Sequence, residues 1–321
     1  MAVRSKETLE LIVRCAVCAN PTRTDNPHHE HHANHNGETY TLHTCPSCEL
    51  QFWWPLKADH SVYEEEGFEA YKDYHSGARP FPRWAEPLFP LLPRTAGTAL
   101  DIGCGDGAVL SRLAEAGFEP NGIDLDEKSI QVARGKFGLD KVISTTLEKY
   151  VAYCREQALC FDLITFFEVL EHQDDPNSFL SQVAALGKPG SLIAGSVPNR
   201  DRFLTVIDRR LSDGDFPPHH FLWFSSTSLA RLLKSAGFED VAVTRTGALA
   251  YKQIVEKLGV VISRKTQAWP SAMQLLVPAM TMLSMVAAVV PWLGMRFAPS
   301  HLFFKCRVAG TAKIPEQSEL T

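Results

Sequence analysis

Between residues 96 and 250, short apolar segments alternate with amphipathic ones, and this alternation restricts the possible folds more than any other feature of the chain. Counting one segment near the end of the chain, the strand candidates are 98–103, 118–125, 141–146, 161–170, 191–198, 240–248 and 301–308. The helix candidates are 108–116, 129–137, 178–186 and 226–238. Strands that alternate with helices are typical of a doubly wound sheet. The sequence therefore predicts an α/β fold with seven, mostly parallel strands.

The flanking regions differ from this α/β region in composition. Residues 1–55 contain two cysteine pairs around a histidine-rich loop and predict a small subdomain of their own. Residues 56–95 are rich in aromatic, charged and proline residues and predict a helical or irregular connector. The α/β domain is predicted over 96–310 with an apolar helical insert at about 250–298, and 311–321 form a polar tail.

Overall charge and composition narrow the set of partners. The chain has 321 residues, 45% of them hydrophobic and 21% charged, and a formal net charge of -5. No strongly basic field is available for a phosphate backbone, so we expect a small-molecule substrate and no nucleic acid. The first residues lack the apolar core of a secretory signal, which makes a cytoplasmic location the expectation.

The segment LDIGCGDG is the most informative motif in the α/β region. Asp101 ends a strand, three glycines follow at alternate positions, and a helix then begins. Glycines allow the backbone to approach a ligand closely, and ligands of open α/β sheets bind at the carboxyl ends of strands. Asp124 ends the next strand, 21 positions after Gly103, where a carboxylate can accept hydrogen bonds from ribose hydroxyls. Together these features predict a nucleoside-type cofactor.

The segments LDIGCGDG, GID and FFEVLEHQDDP together resemble the class I S-adenosylmethionine-dependent methyltransferases, which have a Rossmann-like sheet. Within that family the chain is most similar to the ubiquinone-biosynthesis O-methyltransferase type, over about residues 80–248 and the last strand. The resemblance implies a set of cofactor-binding residues: Arg83, Asp101, Gly103, Cys104, Gly105, Asp124, Leu125 and Phe167. It also implies a polar residue near the adenine, for which Thr146, Leu147 and Glu148 are the candidates.

The segment EVLEH allows two interpretations. Glu168, Glu171 and His172 are associated with a magnesium ion in the ubiquinone-type relatives, so the resemblance implies a possible Mg²⁺ site here. Without a metal, Glu171 and His172 would end the strand and shape the mouth of the substrate site. His172 is also a candidate general base, since imidazole titrates near neutral pH.

The loop DFPPHHFLWFSS follows the fifth strand and carries His219 and His220 among aromatic residues. One of these histidines could position or deprotonate the methyl acceptor, or both could be structural, beside a helix that starts near Ser225. The sequence has no D/N-P-P-Y motif, which amino-group methyltransferases often carry, and this favours oxygen or carbon as the acceptor atom. We expect methylation of a hydroxyl on a small molecule of a lipid-like or membrane-associated kind, with C-methylation of a nucleotide-linked sugar as the alternative.

Two C-x-x-C pairs, Cys15 with Cys18 and Cys45 with Cys48, lie near the N-terminus. Four thiolates in matched pairs suit a tetrahedral structural zinc ion. The histidines between the pairs are either a solvated loop or a weak secondary metal site. Zinc-ribbon relatives carry such a module over the active site. A ribbon that binds nucleic acid on a methyltransferase scaffold is the alternative from another functional class.

The apolar run at 271–295 has no charged residue and is long enough to cross a bilayer. It is inserted before the last predicted strand, so a single crossing would separate that strand from its sheet. Pro278 and Pro291 also interrupt a continuous helix. The alternatives are a peripheral membrane contact or lid through 267–296, a buried helix pair or homodimer contact, and a true span. A peripheral contact would place the chain at the inner face of the membrane.

Overall fold

A seven-stranded sheet forms the centre of the molecule. The computed structural model describes residues 12–22, 30–33, 37–57, 72–202, 205, 209, 213–248 and 299–310. The strands of the sheet are β6 (Thr98–Ile102), β7 (Glu119–Asp124), β8 (Val142–Ser144), β9 (Phe161–Phe167), β10 (Gly187–Pro198), β12 (Glu239–Ala248) and β13 (Pro299–Arg307), in the spatial order β12-β13-β10-β9-β6-β7-β8. The central strands pair in parallel, and β13 is antiparallel to both of its neighbours. The predicted α/β fold is therefore confirmed.

Helices connect the strands, and most begin with a side-chain cap. They are α1 (Lys72–Ser76), α2 (Ala108–Glu115), α3 (Glu127–Phe137), α4 (Leu147–Glu156), α5 (Pro176–Leu186) and α6 (Ser226–Ser235). Asp126, Thr146, Asp175 and Ser225 cap α3 to α6 by accepting hydrogen bonds from backbone N–H groups of the first turn. The sequence analysis missed α4, although Thr146 and the buried Leu147, Tyr150 and Cys154 follow the pattern of a capped amphipathic helix.

The long apolar run of β9 is explained by burial on both faces of the sheet. Phe161, Leu163, Ile164 and Phe166 are all buried, and the facing part of β10 is buried from Ser191 to Val197. Parallel strands covered on both faces have continuous apolar sequences instead of alternating ones. This packing holds the carboxyl ends of β6, β9 and β10 rigidly side by side.

The N-terminal ribbon comprises β1 (Val13–Arg14), β2 (Pro21–Thr22), β3 (Glu30–His32), β4 (Thr39–Thr44) and β5 (Gln51–Trp54). Its second sheet has the order β11-β5-β4-β3, and β11 (Leu222–Trp223) comes from the α/β domain. The Trp53 N–H also donates to the Phe221 carbonyl at 2.9 Å. The ribbon and the loop that carries His219 and His220 therefore share one hydrogen-bonded sheet.

The apolar run at 271–295 lies outside the described residues, together with the rest of the predicted insert. Its membrane, lid and dimer interpretations stay predictions. Among the helices that the structure does describe, none is long and apolar enough to cross a membrane.

Candidate functional site

The turn after β6 requires glycine at two positions. Gly103 and Gly105 have φ angles of 72° and 51°, in the left-handed region that other residues rarely adopt. A Cβ atom on Gly103 would lie 2.5 Å from a methyl group of Val169, and one on Gly105 would lie 2.8 Å from the ring of Tyr74. The turn therefore presents bare backbone to the space above the sheet.

Asp124, at the end of β7, holds this turn in place. Its carboxylate accepts hydrogen bonds from the Gly105 N–H at 2.8 Å and from the Asp126 N–H at 2.9 Å. Burial raises the pKa of Asp124, and these backbone donors act in the opposite direction. Asp124 thus joins the ends of two adjacent strands and remains in contact with the cavity.

A cavity lies at the carboxyl edge of the sheet, where the sequence predicts the cofactor. Five of the residues that the resemblance implies line it: Gly103, Gly105, Asp124, Leu125 and Phe167. The three candidates for the adenine end, Thr146, Leu147 and Glu148, line it as well. His172 and Pro218 also line the cavity. The structure therefore brings the glycine turn, the acid and the first of the predicted histidines to one space.

Asp101 and Cys104 are not among the residues that line the cavity. Asp101 is buried behind the turn, where the Thr165 hydroxyl donates to it at 2.7 Å, and burial raises its pKa to about 7. Cys104 is also buried, and burial raises the pKa of its thiol. The geometry gives both residues a supporting position behind the ligand space.

Arg83 does not reach the cavity, because its side chain is exposed on a 3-10 helix at Arg83–Leu91. A different arginine lies beside the glycine turn. Arg79 donates to the Tyr74 hydroxyl at 2.7 Å and to buried Asp106 at 3.0 Å, and its guanidinium lies 3.9 Å from the centre of the Tyr74 ring. Tyr74 lines the cavity directly over Gly105. The structure thus places Arg79, and not Arg83, beside the glycine turn.

Glu168 follows β9 with a φ of 56°, a strained conformation for a residue other than glycine. The Ser196 hydroxyl donates to its Oε1 at 2.6 Å, and the Nε2 of His301 lies 3.3 Å from its Oε2. Burial alone would raise the pKa of Glu168, but His301 and Ser196 hold it below its usual value. The sequence analysis missed Ser196 and His301, since no local signal places the start of β13 beside the end of β9.

Glu171, His172 and His220 form a second polar cluster. The Nε2 atoms of both histidines lie 3.9 Å from Oε1 of Glu171, whose side chain is 1% exposed. The Nδ1 of His172 donates to the His219 carbonyl at 2.6 Å. Burial lowers the pKa of His172 to about 3, so the ring is neutral at physiological pH, with its lone pair on Nε2. Of the three predicted catalytic histidines, His219 thus contributes a backbone carbonyl to this cluster.

His220 is held in place by Asp215, whose Oδ1 lies 3.3 Å from Nδ1 of the ring. Arg202 and Arg209 contact the other oxygen of Asp215 at 3.0 and 2.7 Å. Burial opposes ionisation, but His220 and the two arginines hold the pKa of Asp215 well below its usual value. None of these supporting residues was predicted from the sequence.

The magnesium site implied by the resemblance differs from the observed grouping. Glu171 and His172 lie together, but the third member of the cluster is His220, while Glu168 contacts Ser196 and His301. Magnesium prefers oxygen ligands in octahedral geometry, and two imidazoles do not suit it. The residues present therefore do not fit a magnesium ion.

The four predicted zinc ligands do lie together. The sulfur atoms of Cys15 and Cys48 are 3.4 Å apart, and those of Cys18 and Cys45 are 3.5 Å apart. A tetrahedral zinc ion with Zn–S bonds of about 2.3 Å separates its ligands by about 3.8 Å. The side-chain hydrogen bond with Cys15, then burial, and to a smaller extent the negative charge of a Cys15 thiolate raise the pKa of Cys48 well above its usual value. The cluster fits a divalent cation that would balance those charges.

Both the sequence and the fold of the chain are similar to those of known proteins. A family model described as a methyltransferase domain matches residues 75–243. Ubiquinone biosynthesis O-methyltransferase from Bordetella avium is 37% identical over 150 residues, which are 44% of this chain and 61% of that protein. The protein of the same name from Thiobacillus denitrificans is 32% identical over 169 residues, which are 50% of this chain and 72% of that protein.

The chain therefore spans less than two thirds of the Bordetella relative. Among solved structures, a complex of the Haloferax volcanii Trm112 methyltransferase activator with a methyltransferase aligns with a TM-score of 0.51 and 16% identity. That alignment covers 77% of this chain and 98% of the other and shows a shared fold. Because the family model spans more than half of the sequence, the chain belongs to the methyltransferase domain family.

Proposed function

We propose that this chain transfers the methyl group of S-adenosylmethionine to a hydroxyl oxygen of a small molecule. The observation that carries the proposal is that Gly103, Gly105, Asp124 and His172 line the same cavity. The names of the Bordetella and Thiobacillus relatives support oxygen as the acceptor atom. The ubiquinone precursors implied by those names are aromatic and lipid-like, and we extend that substrate class to this chain.

The cofactor would lie along the turns after β6, β7 and β8. The backbone of Gly103 and Gly105 can approach the methionine part closely, and Asp124 can accept hydrogen bonds from the ribose hydroxyls. Arg79 is the cation next to this turn that can attract the methionine carboxylate. Leu125 and Leu147 offer apolar surface to the adenine.

When bound, S-adenosylmethionine supplies a methyl group already activated on a sulfonium, so the protein mainly has to align the acceptor. His172 is suited to this task because its Nε2 lone pair can accept a hydrogen bond from the acceptor hydroxyl. His220 lies against it with ring centroids 4.8 Å apart. With the cofactor held by the glycine turn and Asp124, the two imidazoles would orient the acceptor hydroxyl toward the methyl group and pass its proton on to solvent.

A structural zinc ion bound by Cys15, Cys18, Cys45 and Cys48 would hold the ribbon against the acceptor side. The ribbon shares a sheet with β11, next to the segment that carries His220. With four thiolate ligands the ion has no open coordination position, so its role is to stabilise the fold.

A labelled-methyl assay tests the proposal. The purified chain is incubated with S-adenosylmethionine labelled in its methyl group and with catechol, a long-chain phenol or a nucleotide-linked sugar. We expect base-stable label on the oxygen of a phenol, and calorimetry should show cofactor binding without any acceptor. Label only on a sugar carbon would contradict the oxygen assignment, and an absence of cofactor binding would contradict the activity itself.

A further inference from the structure

We propose that Glu171, His172 and His220 form a binding site for a first-row divalent transition-metal ion such as Zn²⁺. This site is separate from the four-cysteine cluster and goes beyond the proposed methyl transfer. It adjoins the cavity, because His172 also forms part of the cavity wall.

The distances between the ligand atoms are close to those of a metal site. One ligand atom from each residue lies within 4.8 Å of the others, and both Nε2 atoms are 3.9 Å from the same carboxylate oxygen. A cation with bonds of about 2.1 Å to nitrogen and oxygen separates its ligands by about 3.0 to 3.4 Å. The two distances to Glu171 would have to shorten by about 0.5 to 0.9 Å to complete the site, which rotation of the side chains can supply.

The far side of each imidazole is held as it is in known metal sites. A histidine ligand usually donates its second N–H to a carbonyl or a carboxylate, which fixes the tautomer and turns the other nitrogen toward the metal. His172 donates through Nδ1 to the His219 carbonyl. The Nδ1 of His220 faces Asp215, which Arg202 and Arg209 hold in turn. Both Nε2 atoms therefore point toward Glu171.

The carboxyl group of Glu171 gives the strongest indication that a cation binds here. Its side chain is 1% exposed, and neither oxygen has a hydrogen-bond partner among the residues that the structure describes. Buried carboxyl groups without partners are costly and rare. A cation between Glu171 and the two imidazoles would remove that cost.

The type of ligand decides the class of metal. Two imidazoles and one carboxylate suit zinc, iron, cobalt or manganese, whereas magnesium favours oxygen ligands. The ligand set also differs from the one that the resemblance implies, since His220 replaces Glu168. With a metal bound, the Nε2 of His172 would be a ligand, so the acceptor hydroxyl would contact the open coordination position of the metal instead of that nitrogen, as is usual at sites with three protein ligands.

Metal content of the full-length chain tests the site without any acceptor. The metal-depleted protein is incubated with Zn²⁺ alone, passed through a desalting column, and analysed by mass spectrometry. We expect two zinc ions per chain in the wild type and one in His220→Ala. Glu168→Gln is the matched control and should retain two. One zinc ion in the wild type, or loss of zinc in Glu168→Gln with retention in His220→Ala, would overturn the proposal.

A second variant separates metal loss from a folding defect. Glu171→Met keeps the side-chain volume and removes an unpartnered carboxyl group, so the metal-free protein should unfold at a higher temperature than the wild type. The same variant should bind one zinc ion. Two zinc ions in a folded Glu171→Met protein would contradict the site. Because this readout needs no methyl transfer, its failure leaves the proposed function standing, and failure of the methyl assay leaves the metal site standing.

Discussion

The two sides of the cavity are built in different ways. The cofactor side consists of residues 103–105, 124–125 and 146–148, which lie at or shortly after the carboxyl ends of β6, β7 and β8. The acceptor side combines the end of β9, the loop before β11 and the start of β13, with the ribbon packed behind it. Short local segments make the first side, and residues distant in sequence make the second.

This difference indicates how such a chain can change its substrate. The bond from Gly105 to Asp124 links neighbouring strand ends and involves nothing from the ribbon or from β13. The contacts of Glu168 with His301, and of Glu171 with His220, depend on segments that can vary without disturbing that bond. The acceptor side can therefore diverge while cofactor binding is retained.

Removal of a cysteine ligand should give the largest difference in effect between the acceptor side and the cofactor side of the cavity. We expect Cys45→Ser to lose the structural metal and to destabilise the ribbon by on the order of 5 kcal/mol, because ribbons of this kind depend on their metal to fold. The affinity for S-adenosylmethionine, measured by calorimetry, should stay within about threefold of the wild-type value. The exposed Cys160, changed to Ser, is the matched control. A parallel fall in cofactor affinity would show that the two sides are not independent.

The pH dependence of stability tests the buried support of the cofactor side. Burial raises the pKa of Asp101 to about 7, so between about pH 4 and pH 7 the folded chain keeps a proton that the unfolded chain has released. The free energy of unfolding should therefore fall as the pH rises through this window, by up to about 4 kcal/mol. Denaturant unfolding of Asp101→Asn should lack this fall. An equal fall in the free energy of unfolding of both proteins would mean that titratable groups other than Asp101 cause it.

Loss of Asp124, the acid at the end of β7, should weaken the binding of the cofactor and leave the zinc site unchanged. We expect Asp124→Ala to lower the affinity for S-adenosylmethionine by about 100-fold or more, since it removes a charged acceptor and frees the Gly105 turn. The zinc content should not change. Asp140→Ala, at an exposed position outside the cavity, is the control. Wild-type affinity in Asp124→Ala would contradict the assigned cofactor site.

A single contact between the ribbon and the α/β domain should have the smallest effect. Asn177 donates to the Ala16 carbonyl at 2.7 Å, in an exposed position. Asn177→Ala should lower the free energy of unfolding by about 0.5 to 1 kcal/mol. A larger loss, found by thermal unfolding, would mean that the ribbon is held by this contact more than by the β5–β11 pairing.

The sequence predicted the side of the site whose signals are local. A strand, a glycine turn and an acid at the end of the next strand lie close together in the sequence and can be recognised there. The residues that this pattern singled out, Gly103, Gly105, Asp124 and Leu125, all line the cavity. Arg79 was not predicted, because it lies in an irregular segment before the 3-10 helix that begins at Arg83 and no sequence pattern shows which way such a segment turns its side chains. The four cysteines were predictable because paired spacing is itself a metal signal.

The other side could not be predicted, because its contacts depend on tertiary structure. Neither the left-handed backbone of Glu168 nor the approach of His301 has a sequence signature. His220 was a candidate from its loop, but its neighbours Glu171 and Asp215 follow only from the packing of that loop on the end of β9. The pairing of β11 with β5 could not be predicted either, since a strand of two residues is too short to show an alternating pattern of apolar and polar residues.

The pairing of Leu222 with Phe52 has a consequence for the order in which the molecule forms. Phe52 and Leu222 are far apart in sequence, so bringing them together lowers the chain entropy before any contact has formed to offset the loss. Structures dominated by such distant contacts form slowly. The turn of Gly105 and its bond to Asp124 need only a nearby strand and helix. We therefore expect a newly made chain to form its cofactor cleft early and to remain unable to select an acceptor until its N-terminal segment docks.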